Sequence, residues 1–582
     1  MLYAFDIETT GLRVHEPEVR MFAWAVAMAD ERYVIRREGE AGYKSYLQKI
    51  LADPASEIIC HNLKFELSFL RKHGYNFHPK VTWHDTMILS QLYNNIAPSH
   101  GLDALAETWF DYPTDVDKEV AGIAKALDNR YDKVPENLMR EYQRRDVERT
   151  MILFQMLYPH IKESQALHAD YRNEIALIFV TEKMEHRGVR LLRDNAQELI
   201  TDLLEKQNAV DKRLVELEGV HYNLSSMKDV NRLLFEVHRF KHPFIGTQRT
   251  DKDVIAEMKR AYPTEEIFDL ILAHRSWKKG IGITQGYLSL TGTDDIVHPN
   301  IKTNHARSGR QATDSPNLQN VSKAAVQGNP YTVHSRKCFG PRIGYCWLLV
   351  DYAGIEIRLV AERTGEPEML EIIKRNGDLH SLAGELFYGD KWDKSRTMRG
   401  SAKNTQFAVA YGAGLASVAD SLHIAISEAK PGLDRYRARF PRVAAFTSNT
   451  AKQIKEYGYI TTPFGRKLFI NPEKAYSGSN YDIQGTAAGI MKRGEVQAQK
   501  YIDGCGIDAH IVLTVHDELM IEYPLTELRR VHEFCNGVRA AMITMPKIGV
   551  PLEVEWKITK TNWNEATGLK VRRPCRLTKS AE

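Results

Sequence analysis

A chain of 582 residues is too long for one hydrophobic core and implies about three or four domains. Hydrophobic content of 43% and charged content of 26% are those of an ordinary soluble protein, and no apolar run is long enough to cross a membrane. The net charge of +4 permits nucleic-acid binding through local patches without demanding it. Cys60, Cys338, Cys346, Cys505, Cys535 and Cys575 are scattered with no CxxC pair, which argues against a zinc site or a disulfide framework and points to a reducing cytoplasm. The N-terminus has no secretory pattern, and no internal repeat stands out.

The first part, to about Ile161, mixes strand-like runs (Leu2–Ile7, Met21–Met28, Glu57–Cys60) with helices and reads as an α/β domain. Its first strand carries Asp6 and Glu8 two residues apart, hence on one face, among apolar neighbours. Glu66 follows in the start of a helix, and Asp85 adds a fourth acid in Trp83-His84-Asp85-Thr86. Tyr142 and Asp146 lie four apart on one helical face, where Asp146 can hold a metal and Tyr142 can orient a water.

From about residue 170 to 300 the pattern is helical and charged. Asp194 to Leu217 has apolar residues at helical spacing, and Ser225 or Ser226 caps the next helix. Lys278-Lys279-Gly280-Ile281-Gly282 reads as a basic, flexible break. Strands and helices then alternate from about 300 to 566. Two apolar runs there end in acid: Leu348-Leu349-Val350-Asp351 and Leu513-Thr514-Val515-His516-Asp517-Glu518. A carboxylate at the end of a buried strand is costly unless something positive meets it. Two brought together make a hard, oxygen-lined site suited to Mg²⁺, and paired metals serve phosphoryl transfer. Between these runs Ser395–Tyr411 is helical, with Arg399, Lys403, Phe407 and Tyr411 each four apart. Two cations followed by two aromatics suit phosphate, sugar and base, although the stripe alone would read as a mixed helical face. The residues after Ala566 are basic and read as a solvated, flexible end, with a DNA-contacting arm as the alternative.

The N-terminal acids and Tyr142 together resemble the DEDD proofreading 3′–5′ exonucleases in their tyrosine variant, over roughly residues 1–165. The C-terminal half resembles family A DNA polymerases of the bacterial polymerase I and bacteriophage type. The ordered motifs are His305-Ala306-Arg307-Ser308-Gly309-Arg310, Ser315-Pro316-Asn317-Leu318-Gln319-Asn320, the first acidic turn, the helical stripe, Asn480-Tyr481-Asp482-Ile483-Gln484-Gly485 and Val515-His516-Asp517-Glu518. The resemblance implies a multidomain α/β fold, with an RNase H-like exonuclease domain (1–165) before a right-hand polymerase. The expected parts are a mostly helical thumb (166–300), palm (301–373 and 448–566), fingers (374–447) and a basic flexible tail (567–582).

In the exonuclease domain the resemblance implies metal ligation by Asp6, Glu8, Glu66 and Asp146, with Tyr142 positioning the nucleophilic water. Glu66 stands where the family usually has aspartate, which leaves an active exonuclease and a retained fold with a weakened site as two readings. In the polymerase it implies Asp351 and Asp517 holding two Mg²⁺, with Mn²⁺ able to substitute, and Glu518 as an accessory carboxylate. Arg399, Lys403 and His380 contact the triphosphate, Lys403 also serving as an acid for the leaving group, and Tyr411 closes on the nascent pair or the template base. Glu356 matches the gate against a ribose 2′-hydroxyl, while Phe407 stands where some relatives carry tyrosine. Arg310, Gln484 and His516 match minor-groove readers of the primer end; Asn317, Gln319 and Asn480 belong to the same DNA-binding motifs. Ala353 and Gly354 replace the usual serine and glutamine, which reads as neutral drift or as an altered minor-groove contact or base preference.

The expected activity is template-directed DNA synthesis with proofreading, on primer–template DNA and dNTPs, by a cytoplasmic monomer that resembles a compact bacteriophage replicative polymerase, with a cellular origin as the alternative. No 5′-nuclease domain and no processivity-factor insertion in the thumb are expected. Two rival readings remain. One is an exonuclease-dominated enzyme with weak polymerase activity. The other is a non-catalytic primer–template scaffold, whose DNA binding would survive loss of both aspartates.

Overall fold

The computed structural model describes residues 1–243, 249–321 and 331–572. Strands β1 (Leu2–Thr9), β2 (Met21–Met28), β3 (Tyr33–Arg37), β4 (Glu57–Cys60) and β5 (Thr82–Asp85) form one sheet in the order β3-β2-β1-β4-β5. The β3-β2-β1 pairs are antiparallel and the β1-β4-β5 pairs parallel. Helix α1 (Tyr43–Ala52) leads into β4, and α2 (Leu63–Lys72) makes the crossover that parallel β4 and β5 require. Helices α3 (Thr86–Tyr93), α4 (Leu102–Phe110), α5 (Asp115–Ala126) and α6 (Glu136–Lys162) follow. Asp6 and Glu8 of β1 stand opposite Ala25 and Ala23 of β2, and directly opposed residues share a face. These small neighbours let α6 come close: Ala23 shares a buried cluster with Met139, and Tyr142 packs against that cluster.

Helix α7 (Gln165–Arg187) serves two cores. Leu167, Tyr171, Ile175 and Ile178 join the N-terminal core, while Leu177, Val180 and Met184 join the large C-terminal one. Residues 166–187, expected with the helical thumb, are therefore a shared spine between the two halves. The short β6 (Val189–Arg190) leads to α8 (Arg193–Glu218) and α9 (Met227–Asn231), which Ser226 caps through Asp229 N–H. Helices α10 (Lys252–Ala261) and α11 (Ile267–Ser289) complete this region. The expected break at 278–282 is absent, because α11 runs through it unbroken. A Cβ at Gly280 would lie 2.7 Å from Val333 Cγ2, so glycine serves close packing there and tertiary contact overrides its weak helix propensity. Strand β7 (Ile296–Val297) pairs with β6, and β8 (Asn300–Lys302) pairs with β9 (Ala312–Asp314) around the loop 303–311.

The second sheet begins with β10 (Tyr345–Tyr352). A helical excursion follows: α12 (Ile355–Thr364), α13 (Pro367–Lys374), α14 (Leu379–Tyr388), α15 (Arg396–Ala410), α16 (Leu415–Leu422), α17 (Ile426–Arg439) and α18 (Pro441–Tyr457). The hairpin β11 (Tyr459–Thr461)–β12 (Lys467–Phe469) and the buried helix α19 (Gly478–Gly504) lead to β13 (His510–Val515) and β14 (Glu518–Pro524). Helix α20 (Val531–Ile543), β15 (Val554–Thr559) and β16 (Thr567–Gly568) complete an antiparallel sheet in the order β13-β14-β10-β15-β16. Alternation sends Leu348, Val350, Leu519 and Ile521 into the main core, and Trp347, Leu349 and Met520 onto the opposite face, against Leu199 and Leu203 of α8.

The expected flexible tail is corrected at its start. Thr567 and Gly568 add a short strand to β15, and Leu569 N–H donates to Trp556 O at 2.8 Å, so backbone pairing fixes these residues despite their exposure. Residues 573–582, with Cys575, lie outside the described residues. Among the described residues no helix is long and apolar enough to cross a membrane, and the described cysteines are free.

Candidate active sites

Asp6 and Glu8 from β1 meet Asp146 from α6, with oxygens all within 4.8 Å of one another. Burial pushes all three carboxyls up: Asp6 to about 7, and Glu8 and Asp146 well above the usual range, where their mutual repulsion adds. Glu66 on α2 is 3% exposed, is raised by burial and then by Asp6, and leaves Oε2 without a hydrogen-bond partner. Glu66 thus lies near Asp6 but outside the three-carboxylate cluster, which itself calls for a cation. Hard oxygen donors, crowding and an orphaned carboxylate oxygen fit Mg²⁺. The charge of Asp146, then burial, keep the Tyr142 hydroxyl protonated, so it remains a donor at neutral pH.

Sequence reasoning missed what balances this centre. Arg149, one turn beyond Asp146, is fully buried and bonds Asp146; its Nη1 and Nη2 reach Asp117 at 3.0 and 2.7 Å, and Asp103 lies 3.1 Å away. The spacing of Arg149 from Asp146 was visible, but its distant partners on α4 and α5 were not. Asp85, counted among the acids, faces elsewhere. It caps α3 through Met87 and Ile88 N–H and also accepts from Leu63 N–H, so it is a backbone anchor.

On the second sheet Asp351 stands opposite both Glu518 on β14 and Glu555 on β15, so three acids share one face in register. His516 and Asp517 form the two-residue turn between β13 and β14, with His516 exposed at φ 59°. Tyr352 N–H donates to Asp517 O at 3.3 Å, which brings the two acidic turns side by side. Asp351, Asp517 and Glu518 do not converge as tightly as the N-terminal set. Lys557, which the sequence reading missed, lies 3.6 Å from Glu518. Two carboxylates beside an open face suit Mg²⁺ that arrives with phosphate oxygens of its own.

Helix α15 sets out the stripe as expected, and the structure adds Ser395 as its cap, accepting from Met398 N–H. Lys403 is exposed, and Phe407 stacks on Tyr411 with ring centroids 6.3 Å apart. Arg399 is engaged: it forms a two-pronged pair with Asp378 at 2.8 and 2.9 Å. Both side chains are nearly half exposed, so exchanging this partner for a phosphate costs little. His380 is buried, and its Nδ1 meets Gln406 Oε1 at 2.8 Å. Glu356 links the parts, accepting from Arg310 Nη2 at 2.7 Å and from Tyr411 Oη at 2.8 Å.

Two of the expected DNA-binding residues also bond within the protein. Asn317 accepts from Asn320 N–H and Thr313 Oγ1, each at 3.2 Å, and so makes the turn after β9. Gln319 donates to Thr514 O at 3.3 Å and ties that turn to β13. Asn480 and Gln484 lie one turn apart near the start of α19, half-buried, with Asn480 Oδ1 lacking a partner. Gly354 precedes α12 at φ 61°, a conformation that glycine adopts without the penalty of a Cβ.

Two carboxylate centres on two separate sheets define a two-site protein with hard-cation chemistry available at each. Residues 193–565 match the model of DNA polymerase family A and residues 2–162 that of the 3′–5′ exonuclease. The chain belongs to DNA polymerase family A and carries an N-terminal 3′–5′ exonuclease domain. It is 28% identical over 600 residues to DNA polymerase I of Pseudomonas aeruginosa, covering 97% of this chain and 64% of that protein. It is 26% identical over 521 residues to DNA polymerase I of Treponema pallidum, covering 87% and 51%. The chain thus spans between half and two thirds of the length of these relatives. The fold is similar, with a TM-score of 0.83 at 22% identity, to the POL domain of Pol1 from M. smegmatis in complex with DNA primer-template and dNTP, over 97% of this chain and 96% of that one.

Proposed function

We infer that the chain is a template-directed DNA polymerase that adds dNTPs to a primer 3′-hydroxyl and removes misplaced nucleotides with its 3′–5′ exonuclease. The observation that carries this reading is the joining of the two acidic turns: Asp351 at the end of β10 beside Asp517 in the β13–β14 turn, with α15 closed onto α12 by the Tyr411–Glu356 bond. Asp351 and Asp517 would hold Mg²⁺ for synthesis, and Asp6, Glu8, Asp146 and Glu66 for hydrolysis. Bound there, divalent ions supply Lewis-acid chemistry that activates an attacking oxygen and neutralises a leaving one. Lys403 and Arg399 orient the triphosphate, and Arg399 exchanges Asp378 for phosphate as it does so. Lys403 is placed to give a proton to the leaving pyrophosphate. Arg310, Gln484 and His516 read the primer end, where minor-groove acceptors test pair shape. Tyr142, a protonated donor, orients the attacking water of the exonuclease.

In this reading α8 to α11 are the thumb, α14 to α17 the fingers, and the second sheet with α19 the palm. The protein works as a monomer on primer–template DNA in a reducing cytoplasm. The run from α11 directly to β7 and β8 fits a bacteriophage replicative setting and a cellular one equally.

The test is extension of a labelled primer with Mg²⁺ and four dNTPs by wild type, Asp517→Ala and Asp6→Ala. Extension by wild type and Asp6→Ala, with only shortening by Asp517→Ala, is expected. Shortening without extension in the wild type would favour an exonuclease-dominated enzyme, and DNA binding with neither reaction a scaffold.

Phe407 lacks a hydroxyl, so it cannot supply the hydrogen bond that a dideoxynucleotide loses with its 3′-hydroxyl. Wild type should therefore use dideoxynucleotides poorly, and Phe407→Tyr should improve their incorporation about tenfold, the equivalent of one hydrogen bond of roughly 1.4 kcal/mol. Chain-termination ratios on one template check this, and equal use of both nucleotides by the wild type would refute it.

A further inference from the structure

The segment 300–310 ends in Arg310 and is held from both halves of the molecule. At its start Lys64 Nζ, on α2 of the exonuclease domain, donates to Asn300 Oδ1 at 2.9 Å and to Ile301 O at 2.7 Å. The same ammonium pairs with Glu185 of α7, which also accepts from Ile301 N–H. In the middle Asn304 Oδ1 accepts from Arg466 Nη1 and Lys492 Nζ, each at 2.7 Å. These cations are buried and paired with Asp170 and Glu174 of α7, so Asn304 sits on a fixed charge network. Near the end Asn95, in the turn after α3 of the exonuclease domain, donates Nδ2 to Arg307 O at 2.8 Å and to Phe469 O at 3.3 Å. Its Oδ1 accepts from Phe469 N–H at 2.7 Å, so one side chain joins the loop to β12. The loop then turns tightly, with Gly309 N–H on Ala306 O at 2.7 Å and Gly309 at φ 79° against Arg466, and delivers Arg310 to Glu356.

We propose that Asn95 and Lys64, two residues of the exonuclease domain, are positioning residues for DNA synthesis: they fix the loop that presents Arg310 to the primer end. This rests on the reading of Arg310 as a contact to the terminal base pair. Side chains that act through a held loop are worth most where the reacting geometry is tight, since small misplacements cost large factors in rate. The exonuclease domain thereby sets how firmly the neighbouring site grips a matched end. Its removal or loosening weakens that grip without touching Asp351 or Asp517.

The experiment measures single-turnover extension from matched and mismatched primers in an Asp6→Ala background, where primer shortening is removed. Asn95→Ala is expected to slow matched extension about tenfold, to narrow the matched-to-mismatched ratio, and to leave a chain that retains Asp6 hydrolysing single-stranded DNA at the wild-type rate. Asn95→Asp keeps the acceptor for Phe469 N–H but loses the donor to Arg307, and should show the same defect. Asn95→Ala combined with Arg310→Ala should be no slower than Arg310→Ala alone. Wild-type extension by Asn95→Ala, with Arg310→Ala slow, overturns the proposal and leaves the reading of Arg310 intact. Wild-type extension by Arg310→Ala overturns both. Equal loss of synthesis and single-strand hydrolysis in Asn95→Ala also overturns it, because positioning acts on one site only.

Discussion

Asp517→Ala is expected to abolish primer extension, by at least about 10³-fold, while primer shortening continues. Asp517 occupies a two-residue turn between β13 and β14, so its place is set by strand pairing and not by its own side chain. Alanine there removes the carboxylate and leaves the sheet. Glu518, the next residue, does not stand in for it. Its side chain points to the face of Asp351 and is paired with Lys557 at 3.6 Å. Asp351→Asn should be equally inactive, because the amide keeps the shape but supplies no negative charge for a divalent ion. Asp351 faces Glu518 and Glu555 in register, so the variant keeps the strand pairing that holds this row. Extension gels read the activity and thermal melting reads the fold. Extension within about tenfold of wild type by either variant would place the chemistry elsewhere.

The parts of both sites carried by local period were legible in the sequence. Asp6 and Glu8 share a face because strands alternate, and Tyr142 with Asp146 because helices return every four residues; both pairs meet at one centre. The α15 stripe follows from the same arithmetic. The counter-charges were not legible. Arg149 draws on Asp103 and Asp117 from two other helices, Lys557 reaches Glu518 across β10, and Asp378 meets Arg399 from the preceding helix; each pairing is set by tertiary packing. Some motif residues also have structural partners that the sequence did not show: Asp85, Asn317 and Gln319 each bond a backbone group nearby. Gly280 misled because a glycine chosen for close approach has the same letter as one chosen for a bend.

Asp6→Asn is expected to stop primer shortening, by about 10²-fold or more, and at the same time to make the metal-free protein more stable. Both effects come from one cause. Burial lifts the Asp6 carboxyl to about 7, and Glu8 and Asp146 are raised as well. A carboxyl raised in the fold contributes stability that is fully present below its ordinary value near 3.8 and is lost as pH rises through the folded value. At neutral pH the metal-free centre therefore strains the exonuclease domain, and Arg149 offsets the strain only in part because Asp117 and Asp103 share it. Mg²⁺ should raise the thermal midpoint of the wild type, with a larger rise at pH about 8 than at about 6. Asp6→Asn should raise the metal-free midpoint by about 2–4 °C and shrink the response to Mg²⁺. A midpoint that falls in Asp6→Asn would show that the carboxylate is held by partners and not by a missing cation. A wild type that ignores Mg²⁺ would leave the Glu66 substitution as the reason the centre no longer binds one. The paired outcome, more stable and less active, is what distinguishes a cation site from a structural salt-bridge network, in which removing an acid costs stability.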